Sequence, residues 1–166
     1  MNAGAGTLTI LGGSGETIGL DGTTAGTDAS TVSTICDGAA CGLTLVQSEL
    51  TSIAAAKLVI GDSSSGNMYV DGVSLSHISG GVTLNSNDSS GSVKFGTGNS
   101  TFKIATVNAG NGITISGNLT TDQAAVFNSD YDANGTGLFT ISSGKTITST
   151  NNQSVGITAN DINIAG

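Results

Sequence analysis

Proline and tryptophan are absent from this chain of 166 residues, and aromatic residues make up only 4% of it. Proline cannot donate a backbone hydrogen bond, so it is excluded from strands that pair with neighbours on both sides. Its complete absence favours a chain in which nearly every segment takes part in such pairing. The scarcity of aromatic side chains means that any core must be built from smaller residues.

Positive charge is also scarce, because the only cations are four lysines and the formal net charge is −8. No basic patch can neutralise phosphates, so we expect no nucleic-acid partner and no binding to an anionic membrane surface. No apolar run approaches the length of a membrane span, and the N-terminus lacks the pattern of a secretion signal. We therefore expect no membrane insertion, and a mature fragment or one unit of something longer.

Glycine, serine, threonine and asparagine supply about half of the residues, while valine, isoleucine and leucine dominate the apolar part. Polar compositions of this kind are often disordered, but charged residues reach only 10% here, which argues against a solvated coil. The composition favours an ordered, repetitive β protein.

Short apolar pairs recur along the chain with the period-two alternation of strands, and their positions form two series with steps of 20 to 26 residues. The first series contains Ile10, Ile35, Ile60, Leu84, Ile104, Phe127 and Ile147, and the second contains Leu20, Leu45, Val70, Phe95, Ile115, Ile141 and Ile164. Two interleaved series with one period are typical of a solenoid. We predict an all-β, right-handed parallel β-helix of about seven coils that spans residues 1–166 as one segment.

Other repetitive architectures fit less well. A leucine-rich repeat needs a regular Leu/Asn frame, and a hairpin-based sandwich favours two-residue Asn-Gly turns. The regular Leu/Asn frame is missing here, and a sandwich would also favour prolines at its edges, which this chain lacks. Only residues 47–57 have a helix-like composition, and that stretch is short.

Residues 42–70 carry a distinctive frame, and related stretches follow at residues 108–115 and 144–148. The frame consists of Leu43, Leu45, Glu49, Leu50, Ile53, Leu58, Ile60, Gly61 and Gly66. It resembles the repeats of filamentous-haemagglutinin-like adhesins, which are giant β-helical surface proteins. The resemblance implies an extracellular or cell-surface location, a structural or adhesive role, and surface glycans as partners.

The two ends of the chain suggest how it assembles. Residues 2–10 echo residues 108–115, residues 161–166 read as a strand, and neither end carries a recognisable polar or helical cap. An uncapped solenoid exposes strand edges that another coil can extend. We expect a unit of a longer repeat array, or head-to-tail self-association into a filament.

Cys36 and Cys41 are the only cysteines. Together with the single, distant His77 they do not make a usual set of metal ligands. Their spacing fits a local disulfide in an oxidising compartment, and it fits two free thiols equally well.

One short motif matches the opening of a calcium-binding loop. Asp130, Asp132 and Asn134 place oxygen-bearing side chains at alternate positions before Gly135. Ile141 stands where an EF-hand requires a bidentate glutamate, so an EF-hand is excluded. The two interpretations left are a weaker calcium site at a β-helix corner and an ordinary Asp/Asn/Gly turn.

Five sequons for N-glycosylation occur, about as many as the abundance of asparagine, serine and threonine predicts by chance. They permit glycosylation in a secretory compartment without indicating it. The sequon asparagines are Asn87, Asn99, Asn118, Asn134 and Asn152.

Catalytic chemistry is poorly represented in the sequence. His77 is the only histidine, and Glu16 and Glu49 are the only glutamates. A polysaccharide-degrading β-helix needs clustered carboxylates, and usually aromatic platforms for sugars. We expect no catalysis and no cofactor, with calcium at residues 130–135 as the one candidate.

Threonine repeats suggest an alternative function. Residues 7–9 and 146–150 have the Thr-x-Thr form that a flat ice-binding face uses, although the intermediate stretches 57–60, 82–84 and 102–104 carry at most one threonine each. The alternative to a structural element is therefore a carbohydrate-binding or ice-binding β-helix module, which a regular, ligand-sized face would distinguish.

Overall fold

The computed structural model describes residues 1–22, 36–37 and 40–165. Strands dominate these residues, and none of their helices has the length and hydrophobicity of a membrane span. The elements are β1 (Asn2–Ile10), β2 (Ile18–Asp21), β3 (Leu43–Val46), α1 (Gln47–Thr51), β4 (Ala54–Ile60), β5 (Met68–Asp71), β6 (Ser74–Leu75), β7 (Val82–Ser86), β8 (Val93–Phe95), β9 (Ser100–Phe102), β10 (Ala105–Ala109), β11 (Ile113–Ile115), β12 (Leu119–Thr121), β13 (Ala125–Asn128), β14 (Leu138–Ile141), β15 (Ile147–Ser149), β16 (Val155–Thr158) and β17 (Asp161–Ile164).

The strands form three sheets, and every strand pairing among the described residues is parallel. In spatial order, sheet A contains β1, β4, β7, β10, β13 and β16; sheet B contains β3, β2, β5, β8, β11, β14 and β17; sheet C contains β6, β9, β12 and β15. From β4 onward, successive strands belong to sheets A, B and C in turn, and from β7 onward each strand pairs with the strand three places earlier in the chain. This arrangement confirms the all-β prediction and is consistent with a parallel β-helix.

Sheet B follows the second predicted series closely, with one change of order. Val70 lies opposite Phe95, and the pairing continues through Ile115 and Ile141 to the last strand, as predicted. At the other end of the sheet, β2 lies between β3 and β5, so Leu20 has Leu45 on one side and Val70 on the other. The series order Leu20, Leu45, Val70 is therefore not the spatial order, because β3 forms the outer edge of the sheet.

Sheet A shows the consequence of that change. Ile10 of β1 lies directly opposite Ile60 of β4, without an intervening strand. Ile35, which the first series places between them, lies outside the described residues. About fifty residues of sequence separate Ile10 from Ile60. This is twice the predicted period, so two periods of sequence add only one strand to sheet A at this place.

The structure also differs from the first series in two strand pairings. Leu84 pairs with Val107 rather than Ile104, and Phe127 pairs with Ile157 rather than Ile147. Ile147 instead begins a strand of sheet C, opposite Leu119. The reason is that the coils have three faces, so two series of apolar pairs could not account for all strands.

The core is a continuous stack of aliphatic residues between the three sheets, with four buried phenylalanines in the middle coils. Phe95 contacts Phe102 with ring centroids 6.4 Å apart. Phe127 contacts Phe139 at 5.4 Å. In most strands, buried and more exposed positions alternate, so each strand has one face inward and one face outward.

The β3 edge of the stack is closed over sheet C by the short helix α1. The helix follows β3 directly and packs beside β6. Leu50 of the helix is fully buried, and Ile53, which follows the helix, is nearly so. Glu49 accepts a hydrogen bond from the Val46 backbone N–H at 3.0 Å, which stabilises the start of the helix. A helix therefore stands where sheet C would otherwise present an unpaired strand.

At the opposite end, β15, β16 and β17 have no further strand stacked on them within the described residues, and we call this the open end. Ile162 and Ile164 lie opposite the buried Phe139 and Ile141, which places them at core positions. They are nevertheless 48% and 61% exposed, and Val155 on β16 is 40% exposed. The last described coil thus presents apolar side chains and strand edges to solvent.

Candidate functional site

The outer face of sheet B carries one column of side chains across four neighbouring strands. Tyr69, Lys94, Thr114 and Thr140 are direct register partners on β5, β8, β11 and β14. Their flanking residues point inward, so these four side chains face away from the core. Strands lie about 4.8 Å apart, so the column runs along the stacking direction for roughly 14 Å.

Asp37 lies over one end of this column. Its carboxylate accepts a hydrogen bond from the Tyr69 hydroxyl at 2.9 Å and forms an ion pair with the Lys94 ammonium at 2.5 Å. Cys36, the preceding residue, is joined to Cys41 by a disulfide. Asp37 lies between the two linked cysteines in the sequence, and its side chain contacts the outer face of sheet B.

These contacts shift two pKa values in opposite directions. Hydrogen bonds from Lys94 and then from Tyr69 lower the pKa of Asp37 below its usual value. Burial raises the pKa of Tyr69, and the hydrogen bond to Asp37 raises it further. The carboxylate is therefore ionised and the phenol protonated at neutral pH.

A groove of about 290 Å³ runs beside the column. We call it the sheet B groove. Its lining consists of Asp37, Tyr69, Ser92, Val93, Lys94, Asn111, Gly112, Thr114, Thr136, Leu138 and Thr140. Leu138 is 41% exposed and supplies an apolar patch. The hydroxyls of Thr114 and Thr140 have no hydrogen-bond partner within the described part of the chain.

The predicted calcium motif forms a turn whose polar groups bind one another. The Asp130 carboxylate accepts hydrogen bonds from the backbone N–H groups of Asn134 and Gly135 at 3.1 to 3.3 Å. The Asn134 amide donates to Asp132 at 2.7 Å, while its oxygen accepts from the Thr136 N–H at 3.0 Å. The oxygen of Asn134 is thus turned toward Thr136 rather than toward the two carboxylates.

No group of three or more acidic, histidine or cysteine residues with metal-site geometry occurs among residues 1–22, 36–37 and 40–165. Calcium binding at residues 130–135 stays a prediction. Gly135, the last residue of this stretch, has a positive φ of 82°, as a tight turn requires.

Two sequon asparagines form a ladder at the edge of sheet C. The Asn99 side-chain oxygen accepts a hydrogen bond from the Asn118 backbone N–H at 3.2 Å. The Asn118 side-chain oxygen accepts from the Thr146 backbone N–H at 3.1 Å. Each asparagine therefore ties its own strand start to the next strand, which is a structural use of these side chains.

The other three sequon asparagines have different surroundings. Asn134 belongs to the Asp130 turn, and Asn152 is exposed with a positive φ of 55°. Asn87 is half-buried, and its side-chain oxygen has no hydrogen-bond partner among the residues that the structure describes. All five positions stay sequons that permit glycosylation in a secretory compartment without indicating it.

The predicted threonine repeats lie on different faces. Thr9 belongs to β1 of sheet A, whereas Thr148 belongs to β15 of sheet C. Sheet C does carry a hydroxyl column, which sequence reasoning missed because its strands contain few apolar pairs. The column consists of Ser74, Thr101, Thr120 and Thr148 in register.

The residues considered for catalysis are dispersed. His77 is exposed beside Ala54 and Ser79 at the edge of β4. Glu16 accepts a hydrogen bond from the Gly13 backbone N–H at 3.1 Å, and Glu49 caps α1. The described part of the chain does not bring these three side chains together at one site.

Comparison with models of known protein families, with curated proteins and with solved structures finds no match for this chain. The resemblance to filamentous-haemagglutinin-like repeats therefore stays a prediction that rests on the residues at positions 42–70.

Proposed function

We propose that this chain is a non-catalytic structural or adhesive unit of an extracellular β-solenoid, which joins further coils to form a stiff fibre or surface stalk. The observation that carries the proposal is the open end at β15, β16 and β17. Ile162 and Ile164 occupy core positions there but are 48% and 61% exposed. Covering them with another coil would bury apolar surface and pair the free strand edges.

Two features of the stack support a head-to-tail arrangement of copies. All strands run parallel, so a second copy in the same orientation continues each sheet with parallel pairs. At the β3 end, β1 and β3 offer the edges of sheets A and B, while α1 covers sheet C. In this arrangement sheets A and B continue from one copy into the next. The contact is heterologous, because it joins two different surfaces, and such a contact can produce an open filament instead of a closed ring.

We also propose that the solenoid is right-handed, has about seven coils and occupies an oxidising compartment. Sheet B contains seven strands, which supports a stack of about seven coils. Crossovers between parallel strands are right-handed in about 98% of known cases, which supports a right-handed helix. The disulfide between Cys36 and Cys41 supports an oxidising, extracellular compartment.

The test is a concentration series of the purified chain followed by negative-stain electron microscopy and mass photometry. We expect uniform filaments whose length increases with concentration. The variant I162K/I164K should abolish them, because it would bury two charges in the contact. N163K is the matched control, since it places a charge on the outward face of the same strand.

Monomers at every concentration would overturn self-assembly and favour a binding module. Filaments that persist in I162K/I164K would show that the contact does not use the β17 end. Both variants should keep the far-ultraviolet circular dichroism spectrum of the parent chain, because all three residues are exposed.

A further inference from the structure

The sheet B groove has the dimensions and lining of a ligand site that the structural proposal does not use. Its volume of about 290 Å³ is close to the lower end of known small-molecule pockets, which begin near ~300 Å³. It lies on the outer face of sheet B, between β5 and β14, rather than at either end of the stack. A groove in this position stays accessible whether the chain is single or stacked.

We propose that the sheet B groove binds a neutral linear oligosaccharide that lies along the stacking direction. The groove combines hydroxyl, amide and aromatic groups, which together match the hydroxyls and the apolar ring faces of a sugar. Thr114 and Thr140 can each donate and accept a hydrogen bond, and neither has a partner in the described residues. Asn111 and Thr136 stand along the same groove.

The apolar part of the site lies at both ends of the column. Tyr69 presents its ring at one end, and its register partner on the outer side is Gly19, which places no side chain beside the ring. Leu138 provides an exposed apolar surface at the other end. A saccharide can therefore rest its ring faces on Tyr69 and Leu138 while its hydroxyls bind the threonines between them.

The regular spacing favours a chain of sugars over a single compact ligand. The side chains recur once per strand, about 4.8 Å apart. A pyranose unit in an extended oligosaccharide advances by a distance of the same order. Successive sugar units can therefore contact successive side chains of the column, which are Tyr69, Lys94, Thr114 and Thr140.

The charge of the groove favours a neutral ligand. Lys94 is the only cation in the lining, and Asp37 already neutralises it at 2.5 Å. The chain as a whole carries a formal charge of −8, which repels anions. The Asp37–Lys94 pair instead offers one acceptor and one donor to sugar hydroxyls and holds Tyr69 in place through its hydroxyl.

The test is isothermal titration calorimetry of the full chain with cellotetraose, laminaritetraose and mannotetraose as neutral probes and tetragalacturonate as the anionic comparison. We expect at least one neutral probe to bind and tetragalacturonate to bind more weakly. The variant T114V/T140V keeps side-chain shape but removes two hydroxyls, so affinity should fall roughly three- to tenfold for each bond lost. T106V is the matched control, because Thr106 faces outward from β10 on sheet A.

A second variant keeps the test decisive if the first one fails to fold. Y69L removes the aromatic surface, and Y131L is its control, since Tyr131 is exposed on the turn before β14. The protein has two tyrosines and no tryptophan, so tyrosine emission in a Y131F background reports on Tyr69 alone. Saccharide binding should change that emission.

The proposal is overturned if none of the neutral probes binds, or if tetragalacturonate binds more tightly than all of them. Equal affinity in T114V/T140V and T106V would also overturn it, because binding would then lie elsewhere. These outcomes are independent of filament formation, which the variant I162K/I164K examines at the end of the stack.

Discussion

Gln47 pairs with Ser74 in the way that a neighbouring strand would. Its side-chain Oε1 accepts a hydrogen bond from the Ser74 backbone N–H at 2.8 Å, and its Nε2 donates to the Ser74 carbonyl at 2.9 Å. Ser74 lies on β6, the edge strand of sheet C. One primary amide thus satisfies both backbone groups of an edge residue, which blunts the edge that further strands would extend.

The substitution Gln47→Ala should destabilise the fold by about 1 kcal/mol, because three hydrogen bonds are lost, two to Ser74 and one to the Thr51 hydroxyl, at a place where water can replace them. Urea unfolding followed by circular dichroism measures the change. Ser48→Ala on the same helix is the control and should have almost no effect. Gln47→Glu should not rescue stability, since a carboxylate cannot donate to the Ser74 carbonyl. Equal stabilities of the alanine variants would contradict the role of this pairing.

Gly61 and Gly144 allow two costs of a substitution to be measured separately. One is the cost of a left-handed backbone conformation, and the other is the cost of a steric clash with the neighbouring coil. Gly61 has a positive φ of 78°, and a Cβ there would lie 2.1 Å from the Asn85 carbonyl oxygen. Gly144 has a similar φ of 69° but nothing within 4 Å of the Cβ position. Gly144→Ala should cost about 1–2 kcal/mol from the left-handed conformation alone. Gly61→Ala should cost about 3 kcal/mol or more, because the backbone of β7 must also move.

The free energies of unfolding of the two alanine variants provide the measurement. Their difference isolates the effect of close stacking between coils. If both substitutions cost the same, the contact between Gly61 and Asn85 would not limit the spacing of the coils.

Phe127 should contribute strongly to the core of the middle coils. It is fully buried and lies 5.4 Å from Phe139, centroid to centroid. Phe127→Ala should cost about 3–5 kcal/mol through lost burial and the cavity left behind. Val126→Ala is the control on the neighbouring outward position, where the side chain is 44% exposed, and should cost less than about 1 kcal/mol. Chemical denaturation of both variants tests the predicted inward and outward faces of β13.

Asp62 should make stability depend on pH in the acidic range. Its carboxylate accepts hydrogen bonds from the Ser64 backbone N–H and hydroxyl, both at 2.8 Å. The backbone hydrogen bond is the largest cause that lowers the pKa of Asp62 in the folded chain. A lowered folded-state pKa stabilises the fold above the unfolded-state value of about 4, and this contribution is lost as the pH falls further.

The variant Asp62→Asn removes that titration but keeps an oxygen acceptor for Ser64. Between about pH 4 and pH 2, its free energy of unfolding should fall less steeply than that of the parent chain. Ser63→Ala, an exposed neighbour outside these hydrogen bonds, should keep the parent slope. A parent-like slope in Asp62→Asn would assign the acid sensitivity to other carboxylates.

The local sequence was sufficient to predict most of the strands and five consecutive strands of sheet B in their correct order. Alternation of apolar residues identified β5, β8, β11, β14 and β17, and their recurrence every 20 to 26 residues placed their core residues in the correct register. This worked because a parallel stack repeats the same inward positions in every coil, so the period of the chain is also the period of the core. The small amino acids and the missing proline point to the same architecture.

The tertiary structure alone decided the order of strands at the β3 end, the third sheet and the sheet B groove. Strands such as β6, with only two residues, contain too little alternation to stand out in the sequence. The position of β3 depends on which edge buries Leu45 and Leu50, a choice between long-range contacts that local pattern does not encode. Asp37, Tyr69 and Lys94 meet across 32 and 57 residues of sequence because three separate segments converge on one face. Register and burial determine such sites, and both are properties of the assembled stack.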